Sequence, residues 1–225
     1  MNNITKIVNG GYYCIEWGES VYASDEIQDY WEADRFGNVC KLNIQLLYNS
    51  GSKILQNEPK VLKVLGEKQK EKIELNFQVF LDKNKKLDNV RQFLYKDTII
   101  FTYSIENELY LAESYIFREL TEDVFIVFDE QMTLKYLILE KTSTFNYQNI
   151  NNDLYNLEAE TKYDFIKLYF KIYTYNQNDV VEIQNLIDEI ISFKKNTENL
   201  DLGISVFLNE EITYLKDELV DSEEL

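Results

Sequence analysis

The sequence contains no histidine. Histidine is the commonest general base and the commonest metal ligand, so Ser-His-Asp and Cys-His catalysis are excluded, and so is any zinc site that needs an imidazole. Cysteine is nearly as scarce, at Cys14 and Cys40 alone. Two thiols cannot make a four-thiolate zinc site or a disulfide framework. The stretches around both alternate like strands, so they read as buried free thiols. One proline and seven glycines leave no flexible linker to divide the chain. The glycines stand at 10, 11, 18, 37, 51, 66 and 203, and none has dinucleotide-fingerprint or P-loop spacing. No motif asks for a cofactor.

Long apolar runs are missing too. No stretch approaches the roughly 20 residues that cross a bilayer. The start, Met1-Asn2-Asn3-Ile4-Thr5-Lys6, lacks a signal layout. The expected location is the cytoplasm of a bacterial cell, without membrane contact. There the glycosylation sequon Asn3-Ile4-Thr5 has no meaning.

What is present suffices for a core. Hydrophobic residues make up 45% of the 225 and aromatics 14%, which argues against wholesale disorder. The formal charge is −17 and the pI about 4.4. Such a surface disfavours direct nucleic-acid binding and anionic membranes, and it favours basic partners. One segment departs from the trend. Between Lys53 and Lys96 eleven bases face six acids, a local excess of five that leaves −22 on the rest. That segment reads as a solvated loop region or as a second contact surface.

The N-terminal part predicts strands. Tyr12–Trp17 follows Gly10-Gly11, and Cys40, Leu42, Ile44 and Leu46 alternate with polar residues. Between them, Ser24 as N-cap and acids in the first turn predict a short helix from Asp25 to about Asp34, then a turn at Phe36-Gly37-Asn38. Lys53–Lys70 reads as one helical turn or a short strand. Ile73, Leu75, Phe77, Val79 and Leu81 predict another strand. Arg91–Ser104 (broken at Lys96-Asp97), Glu108–Phe117, Val124–Phe128 and Leu134–Glu140 follow as β-rich runs with short polar connections. Such spacing indicates an antiparallel meander.

The last third changes character. Ile166, Leu168, Phe170 and Ile172 alternate with Lys and Tyr and read as a strand, with a helix as the alternative. Asn178 is placed as the cap of a helix carrying Val180, Ile183, Ile187 and Ile190, and a second helix spans about Asn209–Val220. The expected fold is α+β: an antiparallel β-meander sheet, curved or barrel-like, with C-terminal helices packed on it. Positions 1–150 form a mainly β part and 151–225 an α/β part on the same core.

Carboxylates are the chemistry that survives the screen. Two of them across a cleft could hydrolyse a glycoside, or a cluster could bind a hard cation, but among forty acids spacing selects no pair. The best candidate surface is the run Asp25, Glu26, Asp29, Tyr30, Trp31, Glu32 and Asp34. On a helix, Asp25, Asp29 and Glu32 share a face, and Tyr and Trp are the preferred anchors of interfaces. The competing reading puts Trp31 and Ile27 in the core with the acids merely wet.

The expected function is therefore a non-catalytic acidic inhibitor or immunity-type protein that occludes a basic macromolecule, such as a nuclease or another nucleic-acid-handling enzyme. The Asn-, Lys-, Ile- and Tyr-heavy usage resembles AT-rich bacterial or phage coding, which suggests an immunity or anti-defence role. The alternatives are a small-ligand binder built on a barrel and a carboxylate-dependent enzyme.

Overall fold

The computed structural model describes residues 4–24, 30–48, 51–67, 71–84, 91–103, 109, 112, 114–148, 150, 153–197, 200 and 202–223. Among them lie two open sheets of six strands each and a helical C-terminal third.

The first sheet contains β1 (Thr5–Asn9), β2 (Tyr12–Glu16), β3 (Tyr22–Ser24), β4 (Tyr30–Ala33), β5 (Val39–Gln45) and a short last strand, β12 (Asn146–Tyr147). Their order is β12-β1-β2-β5-β4-β3. β1 and β2 meet at a two-residue loop in which Gly10 and Gly11 both have positive φ, +53° and +80°. That is the tight hairpin turn that glycine makes at no steric cost. The alternation along β2 and β5 is one-sided. Tyr13, Ile15, Leu42 and Ile44 are buried, while Tyr12, Cys14, Lys41, Asn43 and Gln45 are at least partly solvated.

The second sheet contains β6 (Lys53–Ile54), β7 (Arg91–Tyr95), β8 (Thr98–Thr102), β9 (Ile116–Thr121), β10 (Val124–Phe128) and β11 (Leu134–Leu139), in the order β6-β7-β8-β11-β10-β9. Both of its faces are covered. Ile99, Phe101, Ile126, Phe128, Leu137 and Leu139 face the main core. Phe93, Ile100, Phe125, Val127, Tyr136 and Ile138 pack on a separate cluster with Val61, Leu62 and Leu65 of helix α1 (Lys60–Glu67). Each such aliphatic side chain removed from water contributes about 2 kcal/mol. This two-sided burial explains why β10 is apolar at every position.

Helix α2 (Phe77–Asn84) packs Phe80 on Trp31 of the first sheet, and α3 (Asp153–Asn156), α4 (Ala159–Ile172), α5 (Val180–Asn196) and α6 (Leu202–Glu223) follow in the last third. Phe165, Tyr169, Ile183, Ile187, Leu208 and Leu215 join the same main core as the inner faces of both sheets. No helix among the described residues is long and apolar enough to cross a membrane.

The α+β class with C-terminal helices holds, and several finer expectations need correction. The sheets are mixed rather than purely antiparallel, since β12 runs parallel to β1 and β6 parallel to β7. Neither is closed or barrel-like. Tyr30–Ala33 is not part of a helix but a strand paired with β3 on one side and β5 on the other. Ladder bonds on both edges, with Trp31 opposite Leu42, outweigh the local helix signal. Residues 25–29 of that expected helix lie outside the described residues.

The strand expected over Ile73–Leu81 is instead an extended stretch to Leu75 followed by α2. Asn76 starts the helix, its side-chain oxygen accepting from the Val79 amide at 3.0 Å. The strand expected over 166–173 is part of α4. Tyr169 is buried along with Phe165, Ile166 and Phe170, so the inward set repeats at three and four rather than two. The cap of α5 is Asp179, one residue beyond Asn178, accepting from Val181 and Glu182. Of the run expected over Glu108–Phe117, residues 108, 110, 111 and 113 lie outside the described residues, and β9 begins only at Ile116.

Candidate functional site

The acidic-aromatic run near residue 30 does not assemble as an exposed helix face. Asp25, Glu26 and Asp29 lie outside the described residues, and of Tyr30 only the backbone is placed, in β4. Trp31 is 1% exposed, its ring centroid 4.4 Å from that of Phe80 on α2. Glu32 is buried and ion-paired with Lys41 at 2.8 Å, its register partner on β5. Asp34 spends its carboxylate on a turn, accepting from the amides of Phe36 at 2.8 Å and Asn38 at 3.0 Å. Trp31 and Glu32 are thus engaged inside the first sheet, and Asp34, which is partly exposed, closes the turn that follows β4.

A different constellation joins tyrosines to carboxylates. Helix α6 presents Glu211, Tyr214 and Glu218 at spacings of three and four, one flank of the helix. Tyr173, at the end of α4, donates its hydroxyl to Glu211 at 3.1 Å. Tyr175 and Tyr214 both donate to Glu218, the latter at 2.6 Å. Tyr48, just past β5, packs edge-on against Tyr175 with centroids 5.4 Å apart.

The glycine turn of the first hairpin docks this end of α4. The Gly11 amide donates to the Tyr169 hydroxyl at 3.0 Å, and a Cβ on Gly11 would stand 2.8 Å from the Tyr173 ring. The absence of that side chain lets the helix seat on the sheet.

The electrostatics of the cluster follow from burial. Desolvation pushes the Tyr48 phenol up to about 12, with Tyr214, Glu211 and Glu218 adding to the effect. The bond to Glu218 pushes Tyr214 up to about 12. Burial holds Tyr173 and Tyr175 above the ordinary phenol value. Burial also raises the Glu211 carboxyl, outweighing the bond from Tyr173. The phenols are thus held neutral as donors. Beside them Glu210, Tyr214 and Asp217 stand exposed, so the flank combines fixed aromatic edges with free carboxylates.

The surrounding field has the same sign. Between residues 151 and 225 the chain carries seventeen acids against six lysines, so eleven of its seventeen net negative charges sit in the helical third. Sequence reasoning missed this flank, because Tyr48, Tyr173 and Tyr175 come to α6 from distant parts of the chain. The one local signal was Tyr214, four residues before Glu218, at the spacing of helical neighbours.

The basic segment fares differently. Lys60, Lys63, Lys72 and Lys96 are exposed, whereas the side chains of Lys68, Lys70, Lys83, Lys85 and Lys86 lie outside the description.

One other charged group is built into the interior. Asp123, in the left-handed region at φ +63°, accepts from Lys6 at 2.8 Å and Lys141 at 2.7 Å. It joins β1, the β9–β10 turn and the segment after β11. Lys6 also lies over the Phe145 ring. Among the described residues no three His, Cys, Asp or Glu side chains converge as a metal would require. No known protein-family profile matches the chain, and no curated protein sequence matches it.

Proposed function

We propose that this protein is a non-catalytic binder that occludes a basic macromolecular partner through the acidic surface of its helical third. The observation that carries the reading is the tyrosine–carboxylate flank of α6. Glu218 and Glu211 fix Tyr214, Tyr175 and Tyr173 in place, while Glu210 and Asp217 remain free beside them. Rigid aromatic side chains supply contact area at low entropic cost, and the surrounding field speeds encounter with a cation.

A cationic partner that ordinarily holds phosphate fits best. Carboxylates on a fixed scaffold can compete for its groove, while the overall charge of −17 keeps nucleic acid away from this chain itself. A nuclease or another nucleic-acid-handling enzyme is the class proposed, in an immunity or anti-defence setting. The cavity-carrier alternative loses its premise, since both sheets are open. The carboxylate-enzyme alternative draws no support from this cluster, because Glu211 and Glu218 are both bonded to tyrosines, while Glu210 and Asp217 stand exposed to solvent rather than in differing environments.

Affinity capture from a bacterial extract with the immobilised chain, eluted by a salt gradient, tests the reading. The expected result is retention of a basic protein that is released as salt rises, and is lost with the Glu210→Lys, Tyr214→Ala, Asp217→Lys variant. Retention of no protein by the wild type, or identical retention by the variant, overturns it.

A further inference from the structure

A groove runs along α4 and α5, with Tyr175 in its wall. It consists of two hollows, of about 350 Å³ and about 410 Å³, which share Lys171 and Glu189 in their walls. The first has an apolar floor of Ile54, Phe170 and Leu186, with Tyr175 at its edge. The second is walled by Glu158, Glu160 and Asp164, with Lys167 as its only cation besides Lys171.

The polar side of α4 explains this layout. Glu160, Asp164, Lys167 and Lys171 recur at four, three and four, so they form one stripe along the helix. Lys171 is neutralised by Glu189 at 2.5 Å. Counting both hollows, five acids face two lysines, so the groove has an apolar end and a negative end. The Lys171–Glu189 pair between them is about one-third to one-half solvated. It is therefore an exchangeable surface bridge rather than a locked one.

We infer that this groove seats an extended segment of the basic partner, with one large apolar side chain over Phe170 and Leu186 and a lysine or arginine among Glu158, Glu160 and Asp164. The inference rests on the acidic-binder reading and deepens it, since it names what part of the partner is gripped and where. Charge complementarity selects this occupant. An acidic segment would meet repulsion along the rim, and a second copy of this chain would bring its own negative field. The spacing follows from helix geometry. Phe170 and Asp164 are six residues apart, about 9 Å along the axis and about 120° around it, so the two sites stand about 13 Å apart, which an extended chain covers in about four residues. The gripped motif thus has its apolar anchor and its cation about four positions apart.

The test uses a fluorescent synthetic peptide carrying one leucine and, as its one cationic side chain, an arginine about four residues away in a glycine–serine background. It is titrated against the full chain and two variants with identical changes of net charge: Glu160→Lys with Asp164→Lys in the groove, and Glu58→Lys with Glu67→Lys at exposed positions outside both the groove and the α6 flank. Circular dichroism confirms that each variant is folded.

The groove pair is expected to weaken binding about tenfold or more and the Glu58, Glu67 pair about twofold or less, as local contacts exceed net-charge effects. A peptide with leucine and arginine adjacent should bind more weakly than the spaced one. Equal losses in the two variants, no effect of spacing, or no binding of the peptide to the wild type overturns the groove assignment. In any of these cases salt-sensitive capture of a whole basic protein, lost with the Glu210→Lys, Tyr214→Ala, Asp217→Lys variant, still upholds the binder reading. Failure of that capture removes both.

Discussion

Asp123 is where three parts of the chain meet at one carboxylate. Lys6 of the first sheet and Lys141 after β11 both donate to it, and these bonds hold its carboxyl below the ordinary value despite burial. Asp123→Asn keeps the left-handed backbone, which asparagine tolerates, and removes the charge. It should cost about 3 kcal/mol, the low end for breaking a buried pair, because Lys141 can turn to water. The folded pKa is depressed, so this stabilisation is present above the unfolded aspartate value, about 3.9, and is lost as pH falls through the folded one. Denaturant melts at neutral pH and below the unfolded value should show the wild type and variant converging on acidification.

Glu211 behaves oppositely. Its raised pKa means that its ionised form weakens the fold, an effect that is absent below the unfolded glutamate value and grows as pH rises through the folded one. Glu211→Gln, which still accepts from Tyr173, should melt at or above the wild-type temperature at neutral pH, with the difference vanishing in acid. The residue scale also shows how much was legible. Free thiols were expected, and Cys14 and Cys40 are free, with Cys40 buried and Cys14 half-buried. Desolvation pushes Cys40 up to about 11. The places of Trp31 and Glu32 were not legible, because Phe80 and Lys41 are brought to them only by the fold, whereas Asp34 bonds within the local turn that the sequence had marked at Phe36-Gly37-Asn38.

At the scale of elements, the hairpin turn at Gly10-Gly11 was marked by its glycines, but its docking on α4 was not. Gly11→Ala meets both a positive φ and the Tyr173 ring at 2.8 Å. It should destabilise by about 1–3 kcal/mol, and phenolate titration should show Tyr173 and Tyr169 loosened before the rest. The strands Val124–Phe128 and Leu134–Leu139 were readable because their apolar content and flanking turns agree with the ladder. Helix α4 was misread because lysines and tyrosines happen to alternate with aliphatics across 166–173. The stripe Glu160, Asp164, Lys167 and Lys171 held the helical period in plain view. Helix α2 was likewise announced by Asn76. Asn76→Ala should cost about 1 kcal/mol, read from thermal unfolding, whereas a strand at this position would have been nearly indifferent.

At the scale of the whole molecule, the sign of the charge was legible but the surface it forms was not. The excess of acids over residues 151–225 can be counted along the chain, but only folding sets Tyr48, Tyr173 and Tyr175 beside Tyr214 within it. That a chain with −17 net charge has a compact core reflects two sheets sharing one interior with the helices. Self-repulsion should still be measurable, with moderate salt raising the melting temperature by screening. The same screening must weaken any partner held by that field.

The most direct measurement is the dissociation constant of the captured basic protein, taken across ionic strength for the wild type and for the Glu210→Lys, Tyr214→Ala, Asp217→Lys variant. The account predicts affinity that falls steadily with salt and a loss of about 30-fold or more in the variant, as expected when an aromatic anchor and its charges are removed. An affinity indifferent to salt, and equal in the two proteins, would contradict it.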